Sequence, residues 1–328
     1  MGARRRLGMI LIAFISGMGL VAPLTVTAAQ ADDLVPFVPW SSYLAGWSDT
    51  YVPSSDNDCV AGRPNCLKST LKELADIHAT NAKSCSHNAP FSLAYLRMTQ
   101  TYGYTRDIPG YYQDVTFFNH EDAVFAKYYI DAFRNWQKGN RAAVPQSWLI
   151  AFDAATSKSM SGSGDLLLGM NAHINRDLPF VLAAVGQVTP GGWNTKPDFD
   201  KVEEWLYTAT RPMNAEAAQR FDPAMDDADD PLGLSYWSLF QMVSGWRENA
   251  WRNAEALLSA PSPEARALVA QRIETDANNT AAALRLSMAY LAPFQNSISR
   301  DSYCAAHKND AAPLSYDFGP AASYGASY

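Results

Sequence analysis

Apolar residues recur at helical spacing through most of the chain. Leu67, Leu71, Leu74 and Ile77 form one stripe, and Phe118, Phe125, Tyr129 and Trp136 form another. Pro145 stands where a first helical turn tolerates proline, ahead of Trp148, Leu149 and Phe152. Leu166 to Val185 is the most apolar stretch beyond the N-terminal region. Asp198 to Tyr207, Leu234 to Leu258 and Pro263 to Leu291 supply further helices. The last opens on Ser262 as N-cap, Pro263 at the first helical position and Glu264 as a first-turn acid. No segment alternates with period two, and no internal repeat is visible. The pattern predicts an all-α fold, a single multi-helix domain over residues 67–310. An irregular N-terminal segment (32–66) precedes it, and an Ala/Ser/Gly/Tyr-rich flexible tail (311–328) follows. Tyr102 to Tyr112 and Met225 to Pro231 read as loops. The second is rich in aspartate but lacks the Gly and closing Glu of an EF-hand.

The first residues follow another order. Arg4 to Arg6 are basic, Leu7 to Val21 are mostly apolar, and small residues lead to Ala29-Gln30-Ala31. This describes a secretory signal peptide over residues 1–31, its apolar run short of the roughly 20 residues that span a bilayer. The expected address is therefore secreted, extracellular or cell-envelope, with no membrane span after signal cleavage. The chain carries 26 basic and 33 acidic residues, and cleavage removes three arginines, leaving 23 against 33 and a net charge of -10. That balance leaves no nucleic-acid footprint. All four cysteines lie in the exported part, and an even number there favours two disulfides with three connectivities open. The loop between Cys59 and Cys66 contains Gly62 and Pro64 and closes easily. That choice leaves Cys85 with Cys304. No Cys-x-x-Cys spacing supports a metal-thiolate site.

Familiar catalytic motifs are missing, so polarity in apolar surroundings carries the search for chemistry. On a helix, His173 and Asp177 are i,i+4 neighbours among Leu166, Met170 and Ala184, able to share a proton or a ligand. Pro179 kinks or interrupts the helix just beyond. The competing reading makes Asp177 a cap and His173 a hydrogen-bonded core histidine. Asp122 shares a face with Phe118, Phe125 and Tyr129, and a buried lone carboxylate needs a partner. His120 and Glu121 beside it read as an exposed helix start. Arg247 and Glu248, in a helix dense with Trp237, Phe240, Trp246 and Trp251, are second-rank candidates for substrate binding. His78, His87 and His307 read as surface or helix-end residues.

The run Gly169-Met-Asn-Ala-His-Ile-Asn-Arg-Asp-Leu-Pro179 resembles the domain-of-unknown-function family 5995. Phe118 to Phe133, and Arg247, Ala250 and Trp251, resemble two further helices of that family. The resemblance implies an all-helical fold and supports Asp122, Asn171, His173 and Asp177 as site residues, without naming a reaction. The His173-x-x-x-Asp177 pair also resembles a metal motif of zinc-dependent phospholipase C and its related single-strand nucleases. Ala183 stands where those enzymes place another histidine, and no His-x-x-x-Glu follows. Two expectations follow. One is a secreted hydrolase of an ester or phosphoester, acting on a small-molecule or envelope-derived substrate. His173, Asp177 and Asp122 would be its catalytic set, with or without Zn or another divalent metal on them, and Asn171 would orient the substrate. The other is a non-catalytic cell-envelope binding or structural protein with a buried polar network.

Overall fold

A computed structural model of the chain describes residues 50–226 and 234–316. Residues 1–31, assigned above to a signal peptide, lie outside the described residues, as do 32–49, 227–233 and 317–328. Among the described residues the only extended pairings are two isolated bridges, Met160 with Ala289 and Val188 with Asn194.

The expected stripes form helices. Helix α1 (Pro64–Lys83) buries Leu67, Leu71, Leu74 and Ile77, and begins at Pro64 because proline's missing N–H costs nothing in a first turn. Helix α2 (Ala89–Arg106) is buried around most of its circumference. Helix α3 (Val115–Gln137) is capped by Asp114, which accepts from Phe117 N at 3.0 Å. Helix α4 (Gln146–Ser157) places Trp148 and Phe152 in the core. Next come α5 (Gly162–Met170), a π-helical turn (Asn171–Asp177) and α6 (Leu178–Val185). Helices α7 (Lys196–Arg220), α8 (Leu234–Ser259), α9 (Pro263–Met288) and α10 (Ile298–His307) complete the order. Ser262 caps α9 as its sequence indicates, accepting from Ala265 N at 3.2 Å.

Several expectations need correction. The loop assigned to Tyr102–Tyr112 starts only after Arg106, because Tyr102 is buried and donates to Asn119 Oδ1 at 2.9 Å. Burial of that ring outweighs the roughly 1 kcal/mol that Gly103 costs inside a helix. The helix expected over Asp198–Tyr207 runs through Pro212 to Arg220, because Ala209, Met213 and Ala217 continue its buried stripe. His78 and His87 are buried rather than superficial. His78 Nδ1 lies 3.2 Å from Ser92 Oγ, and burial pushes its pKa down to about 3. The start of the tail is tied down where Tyr316 donates to Glu216 Oε2 at 2.7 Å.

Both expected disulfides are formed. Cys59–Cys66 closes across a Cα separation of 4.7 Å, and Cys85–Cys304 across 5.9 Å. Gly62 makes the short loop possible: its φ is +65°, and a Cβ there would fall 1.7 Å from Thr116 O. Beside the long bridge, α10 is fastened by buried charge. Arg300 Nη1 donates to Asp165 Oδ2 at 2.6 Å and to His87 Nδ1 at 2.9 Å, while His87 Nε2 meets Asp301 Oδ1 at 3.0 Å.

Candidate active site

Five helical segments each turn one stripe toward a common cavity of about 170 Å³. Phe91, Tyr95 and Thr99 come from α2, and Phe118, Glu121, Asp122 and Phe125 from α3. Leu166, Met170, His173 and Ile174 come from α5 and the π turn. Phe199, Val202, Leu206, Thr210 and Met213 come from α7, and Phe240, Val243 and Arg247 from α8. Spacings of three and four residues recur in each stripe, as one face of a helix requires.

The π turn sets the position of His173. Proline at 179 lacks an N–H and crowds the carbonyl four residues before it, and widening the preceding turn relieves both effects without ending the helix. The helix does not break at Pro179: α5, the π turn and α6 follow one another without interruption, and the widened turn stands just before the proline. Gly169 lets α5 approach α2, since a Cβ there would stand 2.4 Å from Phe91 Cγ.

His173 is held by rings. It stacks on Phe125 with centroids 3.6 Å apart and planes 5° from parallel, and Tyr95 lies 4.1 Å away. Neither ring nitrogen has a hydrogen-bond partner. Burial lowers its pKa, against the smaller opposing influence of Asp177, so the ring is neutral at pH 7. Asp177 Oδ2 is 3.9 Å from His173 Nδ1, too far for a direct hydrogen bond. Both Asp177 oxygens are otherwise engaged: Trp148 Nε1 donates to Oδ2 at 2.7 Å, and Arg176 Nη1 donates to Oδ1 at 2.9 Å. Arg176 is in turn bound by Glu274 of α9. Asp177 therefore lies behind His173 rather than in the cavity wall.

Asp122 does face the cavity, and no hydrogen bond joins it to His173 or Asp177. Its Oδ2 has no partner, and burial raises its pKa to about 7, with Arg106 opposing. Glu121 was expected on an exposed helix start. It is instead 7% exposed, lines the same cavity, and has its pKa raised to about 8 by burial. His120, read with it as exposed, is fully buried, with Nδ1 2.7 Å from Cys59 O. Both turn inward because α3 is covered on that side by the Cys59–Cys66 loop and on the other by the cavity helices.

The remaining expected residues divide. Arg247 lines the cavity, donates from Nη2 to Phe199 O at 2.8 Å and lies 4.0 Å over the Phe199 ring. Asn171 is buried away from it, donating to Ala277 O at 2.9 Å and accepting from Asn175, so it joins the π turn to α9. Glu248 is on the outer surface between Lys196 and Arg252, at 2.9 and 2.8 Å. Tyr95, Thr99 and Glu121 were not singled out by sequence. The closest signal was Glu121's place beside Asp122 on a stripe containing Phe118 and Phe125.

The fit to a metal is poor. Among the described residues no group of three or more His, Cys, Asp or Glu side chains is arranged to hold an ion. Asp177, the expected partner of His173, already spends its oxygens on Trp148 and Arg176.

Fold and site together define an all-α protein with an aromatic-walled cavity carrying ionisable groups. The chain belongs to DUF5995, a family of unknown function, whose model matches residues 67–287. No curated protein and no solved structure matches it. Among the described residues no helix is long and apolar enough to cross a membrane.

Proposed function

We propose that this protein is an exported acid–base hydrolase of small, largely apolar esters, working in the cavity between α2, α3, the π turn, α7 and α8. One observation carries the reading. His173 Nδ1 and Nε2, Tyr95 Oη, Thr99 Oγ1, Glu121 Oε2 and Asp122 Oδ2 are all buried without partners, and all belong to residues lining one otherwise apolar space. A buried polar group left unpaired costs about 1–3 kcal/mol, so their gathering in one place favours a molecule that completes them. Export is supported by the order of the first 31 residues and by the two disulfides.

Burial drives the site's groups apart in the sense that acid–base chemistry uses. His173 is held neutral and able to accept a proton, while Asp122 and Glu121 retain protons near pH 7. In this reading His173 takes a proton from water as its oxygen bonds to the ester carbonyl carbon. Glu121 or the Tyr95 hydroxyl donates a hydrogen bond to the carbonyl oxygen. Asp122 gives its proton to the departing alkoxide as the acyl C–O bond breaks. A carboxylic ester suits the apolar walls better than a phosphoester, because Arg247 is the one cation among the described lining residues. The likeness to zinc-dependent phospholipase C adds no step, since its metal motif would need the Asp177 oxygens.

Hydrolysis of methyl butyrate, ethyl butyrate and phenyl acetate by the purified protein, followed as acid release, tests the reading. Rates should fall about 10²–10⁴-fold in His173→Gln and in Asp122→Asn. The wild-type rate should decline as pH rises through about 7, where Asp122 loses its proton. Wild-type rates equal to buffer, or His173→Gln equal to wild type, would overturn it. A second reading, a carrier that holds the same kind of molecule unchanged, is favoured by the predominantly apolar wall and the clamped His173 ring. Binding without turnover would select it.

A further inference from the structure

Arg247 is under-used for a buried guanidinium. Its side chain is 9% exposed, and α8 sets it in the cavity wall facing α3 and α7. One of its five N–H groups donates to Phe199 O, and Nε is ion-paired with Glu203 Oε1 at 3.4 Å. Among the described residues Nη1 donates to nothing. Across the same cavity, Glu121 Oε2 is buried and equally without a partner. We infer that Arg247 and Glu121 form the receptor for a carboxylate head group on the molecule that the cavity holds. The inference rests on the cavity being a small-molecule site and not on ester hydrolysis.

A guanidinium offers parallel N–H donors that match the two oxygens of a carboxylate. Glu121 complements it as a second donor, because burial keeps its carboxyl protonated up to about pH 8, against the opposing pull of Arg247. A neutral carboxylic acid beside an oxyanion acts as a hydrogen-bond donor. The surroundings limit the charge the head group carries. Glu203, Asp200, Asp198 and Asp122 all bear electrostatically on Arg247 or Glu121, so a monoanion is accommodated where a phosphate dianion is repelled. The body of the ligand follows from the walls. An apolar cavity of roughly 150 Å³ accepts benzene, so this one takes about one ring or a chain of about six carbons. The class is thus a short-chain or monocyclic aromatic carboxylate. Such a molecule is also what hydrolysis of a matching ester releases.

Isothermal titration calorimetry at pH 6.5 with hexanoate and 1-hexanol decides the matter. Both probes share the apolar chain and differ in the head group. Wild-type protein should bind hexanoate at least about tenfold more tightly than hexanol, the gain expected of charge-assisted hydrogen bonds. Arg247→Gln should lose that preference while still binding hexanol, which also reports an intact cavity. Glu121→Gln, which keeps a donor in place, should retain it. If Arg247→Gln fails to fold, Arg247→Lys, with its charge but without the fork, should show a reduced preference. Equal or tighter binding of hexanol by wild type, or an undiminished preference in the Arg247 variant, would overturn the carboxylate receptor alone. Failure of both probes to bind would overturn the cavity reading with it. Hexanoate binding without esterase activity would leave the receptor standing and remove the hydrolase.

Discussion

Replacing Glu121 by Gln should flatten the dependence of stability on pH between about 6.5 and 8. The Glu121 carboxyl moves from an ordinary value of 4.5 to about 8 on folding. Across that window the unfolded chain has released this proton and the folded protein still holds it. Stability therefore falls as pH rises, by about 1.4 kcal/mol for each pH unit, or about 2 kcal/mol over the window. Asp122, raised to about 7, adds less than about 1 kcal/mol before it ionises in the folded state too. His78 and His173 act oppositely, since burial lowers both: they cost stability as pH falls below about 6.5 and recover only a few tenths of a kcal/mol each above it. The wild-type melting temperature should drop by roughly 4–8 °C from pH 6.5 to 8, at about 2–4 °C per kcal/mol for a domain of this size. Circular dichroism melts of wild type and Glu121→Gln at half-unit pH intervals measure it. The variant should lose most of the slope and become the more stable protein above pH 7. A variant slope equal to that of wild type would refute the reasoning, because the proton held by the folded state would then reside elsewhere.

Asp177→Ala should destabilise the protein by about 3–5 kcal/mol in urea titrations, since it strips a buried acceptor from both Trp148 and Arg176. Loss of Cys85–Cys304 should cost about 5 kcal/mol and loss of Cys59–Cys66 about 2, by the loop-entropy model; calorimetry of the two double-serine variants should preserve that order. Exported protein should begin at or near Asp32 by intact mass, and a retained Met1 would refute the signal-peptide assignment.

Helices with one wet face were legible in the sequence. The stripes of α1 and α3 and the Ser262-Pro263 start of α9 are where spacing and capping put them, because solvent on the far side preserves a contrast between apolar and polar positions. Helix α2 was not singled out for the opposite reason. Being buried on nearly all sides, it interleaves Ser92, Thr99, Gln100 and Thr101 with Phe91, Leu93 and Tyr95, and shows no stripe. With α2 went Tyr95 and Thr99, which supply two of the cavity's polar atoms. His173 and Asp122 were found because a polar residue on an apolar stripe stands out. Whether such a residue faces a cavity or a partner is a tertiary matter, and Asp177 shows it: the same pattern that marked His173 marked a carboxylate already saturated by Trp148 and Arg176. Glu121 escaped because a glutamate near a helix start is commonly solvated, and the loop closed by Cys59–Cys66 that helps cover α3 is invisible to helical periodicity.

The bridge from Cys85 to Cys304 has a consequence for how the chain is made. On the proposal that the chain is exported, synthesis and translocation run from the N-terminus, and Cys59, Cys66 and Cys85 would reach an oxidising compartment well before Cys304, which lies 219 residues beyond Cys85. Three thiols are then present at once, an odd number in which any pair can oxidise. The Gly62 turn brings Cys59 and Cys66 together within a loop spanning only seven positions, and short loops close fastest. Early closure of that loop removes both wrong partners and leaves Cys85 a lone thiol until α10 arrives. Replacing Gly62 should therefore show itself first in newly oxidised chains, as Cys85 captured by Cys59 or Cys66 and α10 left without its anchor.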